Sequence, residues 1–264
     1  MSRETEMTFP AGVAVVTGAA RGIGAAVVRA LAACGVDVAA FDIDADALSR
    51  AHEDRPPAPG RVHSFAVDVA DARAVRAAIE HVEVTVGPIG MLANVAGVLR
   101  LAAATSLTDD DWAHCFAVNA HGVFHLSRAV AQHMIERRAG SIVTVGSNAA
   151  LVPRTQMAAY AASKAAAHQF TRCLGLELAG HGIRCNIVAP GSTDTPMQRQ
   201  LWRGPEGPAG VIAGSLETYR TGIPLGRIAA PDDVAGTVLF LLSDAARHVT
   251  LHTLCVDGGA TLGV

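Results

Sequence analysis

The sequence lacks several things, and each absence excludes a class of protein. No stretch of its 264 residues reaches 18 uninterrupted apolar positions, so no membrane-spanning helix is expected. The opening MSRETEM is polar and has no apolar centre of the kind a secretory signal needs. Cysteine is sparse: Cys34, Cys115, Cys173, Cys185 and Cys255 are odd in number, widely spaced and never in a CxxC pair. A disulfide framework is therefore not expected, and a reducing cytoplasm is. Charge of one sign is also missing. A formal net charge of −3 gives no basic surface for nucleic acid or an anionic membrane. Histidine is plentiful, and His121 and His125 share a helical spacing. No HExxH arrangement or third ligand accompanies them, so no metal site is expected.

Aromatic residues make up only 4% of the chain, whereas half of it is apolar and rich in Ala, Val, Leu and Gly. Such a mixture suits helices packed closely on a parallel sheet better than an all-β sandwich. The apolar runs bear this out as a pattern. Strands are predicted at Val13–Thr17, Val36–Asp42, Val62–Val67, Met91–Val95, Ser141–Val145, Arg184–Val188 and Leu251–Val256. Helices are predicted at Ala25–Ala33, after the second strand, at Ala70–Val86, Trp112–Arg137, Gln156–Leu178 and Asp232–Leu242. Thr108 followed by Asp109, Asp110 and Asp111 reads as a helix start, with a capping hydroxyl and acids at the positive helix end. A Pro-rich break lies at Pro56–Gly60, and Gly191–Ala230 reads as a long excursion of weak periodicity. Strands alternating with helices imply right-handed crossovers. The expected fold is a single α/β domain over residues 1–264, a doubly wound parallel sheet of Rossmann type with helices on both faces.

The turn after the first strand reads Thr17-Gly18-Ala19-Ala20-Arg21-Gly22-Ile23-Gly24. Glycines there let the backbone approach a pyrophosphate, which the N-terminus of the next helix stabilises. The spacing is GxxxGxG rather than GxGxxG, and its position between a strand and a helix is what gives it weight. Asp42 ends the second strand, where a carboxylate accepts hydrogen bonds from an adenosine 2′-hydroxyl and repels a 2′-phosphate. NAD is the expected cofactor. Arg21 argues the other way, as a basic residue able to pair with that phosphate, and Asp44 is a secondary acidic candidate.

Tyr160 and Lys164 stand four apart, so one helix face presents both. An ammonium beside a phenol stabilises the phenolate and lowers its pKa from about 10. The tyrosine then serves as base towards an alcohol or as acid towards a ketone. Ser147 follows the fifth strand, and its hydroxyl is placed to hold the substrate oxygen.

Taken together, Thr17–Gly24, Asp68-Val69, Asn94-Val95-Ala96-Gly97, Asn119, Ser147, Tyr160–Lys164 and Pro190-Gly191 resemble the short-chain dehydrogenase/reductase family over nearly the whole chain. The resemblance implies that Asp68 and Val69 lie beside the adenine and that Asn94, Ala96 and Gly97 underlie the cofactor. It further implies that Lys164 reaches the nicotinamide ribose, and that Asn119 supports a water chain to Lys164. Pro190, Gly191, Thr193 and Thr195 would border the nicotinamide. Where the family usually has NNAG this chain has NVAG, which weakens a polar role at Val95 alone.

A narrower resemblance lies in runs outside the cofactor motifs: Gly97–Arg100, Val152–Arg154, Gly191–Thr195, Met197–Arg199, Leu201-Trp202, Gly222–Gly226 and Val256–Gly263. These are similar to family members that oxidise a ring alcohol of a dihydrodiol carboxylate, yielding a catechol used in siderophore or related secondary metabolism. A carboxylate wants the planar fork of an arginine. Arg100, Arg154 and Arg199 are the candidates, with Arg154 first because it lies between Ser147 and Tyr160. Met197 belongs to an expected lid at about 192–228. An amino-alcohol analogue of the substrate, a 3-oxoacyl reductase activity and a catalytically silent dinucleotide sensor remain as alternatives. The partners expected are a small-molecule substrate and, by family resemblance, three further copies of the chain in a homotetramer paired through its long helices.

Overall fold

Every residue of the first strand, Val13–Thr17 (β1), is buried, because both of its faces are covered. Ala14 and Val16 enter one apolar core and Val13 and Val15 the other, as the two-residue alternation of a strand requires. The computed structural model describes residues 7–53, 57–202 and 207–263. Its remaining strands are Val38–Asp42 (β2), Val62–Ala66 (β3), Ile89–Asn94 (β4), Gly140–Val145 (β5), Ile183–Pro190 (β6) and Thr253–Val256 (β7). They form one sheet of order β3-β2-β1-β4-β5-β6-β7, with every neighbouring pair parallel.

Helices cover both faces. Gly22–Ala33 (α1), Ala45–Glu53 (α2) and Pro231–Leu242 (α9) pack on one, contributing Val27, Leu31, Leu48, Val238 and Leu242. On the other, Ala72–Thr85 (α3), Val123–Arg137 (α5) and Ala158–Leu178 (α6) contribute Val75, Ile79, Leu126, Val130 and Leu178. Asp71 caps α3 by accepting from the amides of Arg73 and Ala74. At the far end of α9, Arg184 of β6 donates to the carbonyls of Leu241 (2.6 Å), Leu242 (3.0 Å) and Ser243 (3.0 Å). A guanidinium at that end both satisfies orphan carbonyls and meets the negative helix pole.

Two expectations need correction. The first helix begins at Gly22, inside the glycine turn, rather than at Ala25. The helix expected at Trp112–Arg137 is three pieces. Asp109–Phe116 (α4), capped as expected by Thr108 accepting from the Asp111 amide, runs into a π-helical turn at Ala117–Gly122 before α5 begins. Helical periodicity holds within α4 and within α5, so a single change of phase between them is easily missed in the sequence.

Among the described residues, the excursion after β6 contains two short helices, Pro196–Arg199 (α7) and Pro208–Ala213 (α8). The bridge Thr193↔Ala229 joins its two ends, and Ser215↔Arg220 pairs within it. Residues 203–206 of the expected lid, Pro56 of the Pro-rich break and Val264 lie outside the described residues. Among the described residues, no helix is long and apolar enough to cross a membrane.

Candidate active site

In a parallel sheet, ligands bind beyond the carboxyl ends of the strands, where the winding reverses. Here that point lies between β1 and β4. Thr17, the last residue of β1, fastens the two by accepting from the amides of Val95 (2.9 Å) and Ala96 (3.0 Å). A cavity of about 630 Å³ opens there.

One end of the cavity is made by the glycine turn and the tip of β2. Gly18 has φ +64°, and a Cβ on it would stand 2.9 Å from the Cα of Ala96; one on Gly24 would stand 2.0 Å from the Gly18 carbonyl oxygen. The turn closes only without side chains, and it leaves a backbone cradle at the start of α1. Arg21, Gly22 and Ile23 complete that wall. Asp42 accepts from the amides of Ala20 and Asp44, both at 3.0 Å, which fixes its carboxylate at the cavity edge. Arg21 forms an ion pair with Asp44. Asp44 also accepts from the Ala47 amide, and that bond together with Arg21 holds its carboxyl below the usual carboxylate range. The cation that argued for a 2′-phosphate is thus already neutralised by the neighbouring acid.

Asp68, Val69, Val95, Ala96 and Gly97 also line it, as do Pro190, Gly191, Thr193 and Thr195, the last packed close to Gly22. Asn94 is not part of the lining. It shares a strand face with Leu92, and its amide donates to Ser127 of α5 at 3.0 Å, so its side chain lies under the cavity floor. Asn119, in the π-helical turn, is fully buried and also outside the lining. It accepts from the Val98 amide (2.8 Å) and donates to the Val98 carbonyl (3.0 Å) and the Ser163 hydroxyl (3.0 Å). Its amide locks the strand-four loop to α6.

Ser147, Tyr160 and Lys164 line the same cavity. Ser147 accepts from the Ala149 amide at 3.1 Å and stands beside the Tyr160 hydroxyl. Lys164 donates to the Val145 carbonyl at 2.9 Å. Burial pushes the Tyr160 phenol up, with only the Ser147 hydroxyl opposing it, and pushes Lys164 down to about 8. The expected lowering of Tyr160 by Lys164 is therefore not found. Burial sets the direction at Tyr160, and the Lys164 ammonium is directed at the Val145 carbonyl.

The three arginine candidates separate cleanly. Arg100 is paired with Asp111 at 3.1 Å and Arg199 with Asp194 at 2.8 Å, the latter also lying over Trp202. Neither lines the cavity. Arg154 does, and so does Arg220, which sequence reasoning missed. Burial lowers the pKa of both guanidiniums, and Arg154 adds repulsion at Arg220. Among the described residues, neither side chain has an ion-pair or hydrogen-bond partner. Asp257, which faces Arg154, is already engaged by Asn148, Gly259 and Thr261. Two half-buried cations thus stand in the cavity lining with no hydrogen-bonded carboxylate on either among the described residues. Met197 lines the same chamber with Gln198, Gln200 and Leu201, all four within the expected lid.

The backbone cradle, the strand-end carboxylate and a buried Ser–Tyr–Lys group beside it are what a nicotinamide-dependent oxidoreductase requires. The sequence matches the short chain dehydrogenase family over residues 12–206, and the chain belongs to that family. It is 54% identical to 2,3-dihydro-2,3-dihydroxybenzoate dehydrogenase of Bacillus subtilis (strain 168), over 96% of this chain and 97% of the relative. Its identity to the enzyme of the same name from Escherichia coli (strain K12) is 44%, over 94% and 96% of the two chains. Among solved structures, gox2181 superposes with a TM-score of 0.88 at 36% identity, covering 97% of this chain and 98% of that one. Membership makes the protein an oxidoreductase of CH–OH groups that uses a nicotinamide dinucleotide.

Proposed function

We propose that this chain oxidises 2,3-dihydro-2,3-dihydroxybenzoate to 2,3-dihydroxybenzoate with NAD, as one catalytic domain. The observation that carries the reading is the unpartnered Arg154–Arg220 pair in the same cavity as Ser147 and Tyr160. A neutral alcohol would bring no anion to this pair, whereas a ring carboxylate takes two charge-assisted donors. The similarity to the dehydrogenases of that substrate supports the same conclusion.

Asp42, with Arg21 neutralised by Asp44, supports NAD over NADP. Gly18, Gly22 and Gly24 provide the pyrophosphate cradle, and Asp68 and Val69 flank the adenine. A bound nicotinamide would supply the acceptor for the hydride of the ring carbinol carbon. Ser147 holds the alcohol oxygen by hydrogen bond, and Tyr160 takes the hydroxyl proton as the carbon–oxygen double bond forms. Tyr160 enters that step as the phenolate, beside the Lys164 ammonium, and leaves it as the phenol. Loss of the adjacent ring proton then aromatises the ketone to the catechol, which draws the oxidation forward. Asn119 acts from beneath by fixing Val98 and Ser163. Met197 and Leu201 close the chamber against water.

The exposed Trp112, Phe124 and Leu176 on α4, α5 and α6 support a homotetramer paired through those helices. The reading places the enzyme in the cytoplasm. The test is NADH formation from the diol with NAD⁺ and, in parallel, NADP⁺. Rapid turnover with NAD⁺ is expected. Turnover restricted to trans-2,3-dihydro-3-hydroxyanthranilate would replace the substrate and keep the chemistry, and activity on neither would overturn the reading.

A further inference from the structure

The buried face of α6 continues past its catalytic pair. Tyr160, Lys164 and His168 recur every four residues, followed by Thr171, and all four are buried. The last three each grip the end of β5 or the turn beyond it. Thr171 shares a hydrogen bond with Thr144 at 2.9 Å, Lys164 donates to the Val145 carbonyl, and His168 Nε2 accepts from the Ser147 amide at 3.3 Å. Gly146, between them, makes room. A Cβ there would lie 1.8 Å from His168 Nε2. Gly146 still pairs with β6 through the Val188 carbonyl at 2.8 Å, so Ser147 is the first residue past the ladder, and its amide turns to the histidine instead.

That hydrogen bond fixes the ring's protonation. A backbone amide can only donate, so Nε2 holds the lone pair and Nδ1 the proton. Nδ1 is itself buried with no partner among the described residues. Burial, with Lys164 and Arg172 nearby, holds the imidazole neutral by pushing its pKa down to about 4. For packing alone the ring is a poor choice. A leucine would fill similar space without leaving a buried N–H unpaired.

We propose that His168 is a positioning residue of the dehydrogenase. By accepting from the Ser147 amide it sets the direction from which the Ser147 hydroxyl meets the alcohol oxygen. It touches neither substrate nor cofactor, since it does not line the cavity, and acts through the backbone of the residue that does. The inference rests on the reading of Ser147 as the alcohol-holding hydroxyl.

The test compares His168→Leu with His168→Gln in the full chain, with Ser147→Ala alongside. Glutamine Oε1 stands as many bonds from Cα as histidine Nε2, so it restores the acceptor without the ring. Steady-state constants, NAD affinity by calorimetry and Tm are measured for each. Misplacing a reacting group costs up to about 100-fold, so His168→Leu is expected to lower kcat by about 10–100-fold. NAD affinity and Tm should stay near the parent's, and His168→Gln should recover most of the lost kcat. Should the leucine variant not fold, His168→Val serves the same comparison. Unchanged kcat in the apolar variant, or a glutamine variant as slow as the apolar one, overturns the inference. Turnover surviving in Ser147→Ala would instead overturn the role given to Ser147. An inactive Ser147→Ala beside a fully active His168→Leu removes only the positioning role.

Discussion

Arg154 and Arg220 are 66 positions apart in sequence, yet both line one chamber, and the charge of the first makes the charge of the second harder to hold. Binding an anion relieves that repulsion. Each arginine contributes a charge-assisted bond of about 1.5–3 kcal/mol, which corresponds to roughly 10–100-fold in affinity. Arg154→Gln and Arg220→Gln should therefore each raise the KM for the diol carboxylate by about that factor, with kcat much less affected. A substrate analogue without the carboxylate should show the opposite trend or none. Steady-state kinetics on the two substrates decides it.

Cofactor choice turns on two acids and one base. Removing Asp42 takes away the ribose acceptor, and removing Asp44 frees Arg21 to meet a phosphate. Like charges in contact cost several kcal/mol, so the Asp42→Ala/Asp44→Ala double variant should lower the NAD:NADP preference by about 100-fold or more. Comparing kcat/KM for the two cofactors measures this directly. A preference that survives both substitutions would mean that another feature of the turn reads the ribose.

Tyr160 should be indispensable and the site should favour high pH. General acid–base groups contribute about 10²–10⁴-fold, so Tyr160→Phe should lose at least that much in kcat while keeping NAD affinity. Burial raises the phenol, and the oxidation needs it deprotonated, so alcohol oxidation should accelerate as pH rises through the alkaline range. Ketone reduction should slow over the same range. Initial rates in both directions across pH give the profile.

Lys164 is expected to hold activity at the expense of stability. Its pKa falls from 10.5 to about 8 on folding, so between those values the unfolded chain binds more protons, and stability rises with pH across that window. Below it, the buried ammonium is a full penalty of about 3 kcal/mol. Lys164→Met should therefore be inactive yet melt about 5 °C or more above the parent at pH 7, with the gap closing towards pH 10. Calorimetry at both pH values checks it, and an unchanged or lower Tm at pH 7 would contradict it.

The strands and the catalytic group were legible because their signals are local. Val13–Val16 is an unbroken apolar run, and Tyr160–Lys164 needs only helical spacing. What escaped depends on partners elsewhere. Whether an arginine is free is decided by the nearest carboxylate, and Asp111 and Asp194 disqualify Arg100 and Arg199 while nothing disqualifies Arg154. The Arg199–Asp194 pair, five residues apart, was within reach of sequence reasoning; Arg220 was not, because only the returning chain brings it to Arg154. Asn94 could have been placed by parity alone, since Leu92, two residues earlier, faces α5. His168 gave no signal, for its meaning lies in the vacancy above Gly146.

The π-helical turn at Ala117–Gly122 bears on how this chain is compared with others. A turn that takes five residues to close rather than four behaves as a single inserted residue accommodated without breaking the rod. Everything on one side of Asn119 is thereby rotated by about 100° relative to an ideal continuation. Alignments that place a one-residue gap here would be recording backbone geometry. Engineering that shortens the segment by one residue would restore a regular helix and turn Asn119 away from Val98 and Ser163, without altering any side chain of the catalytic group.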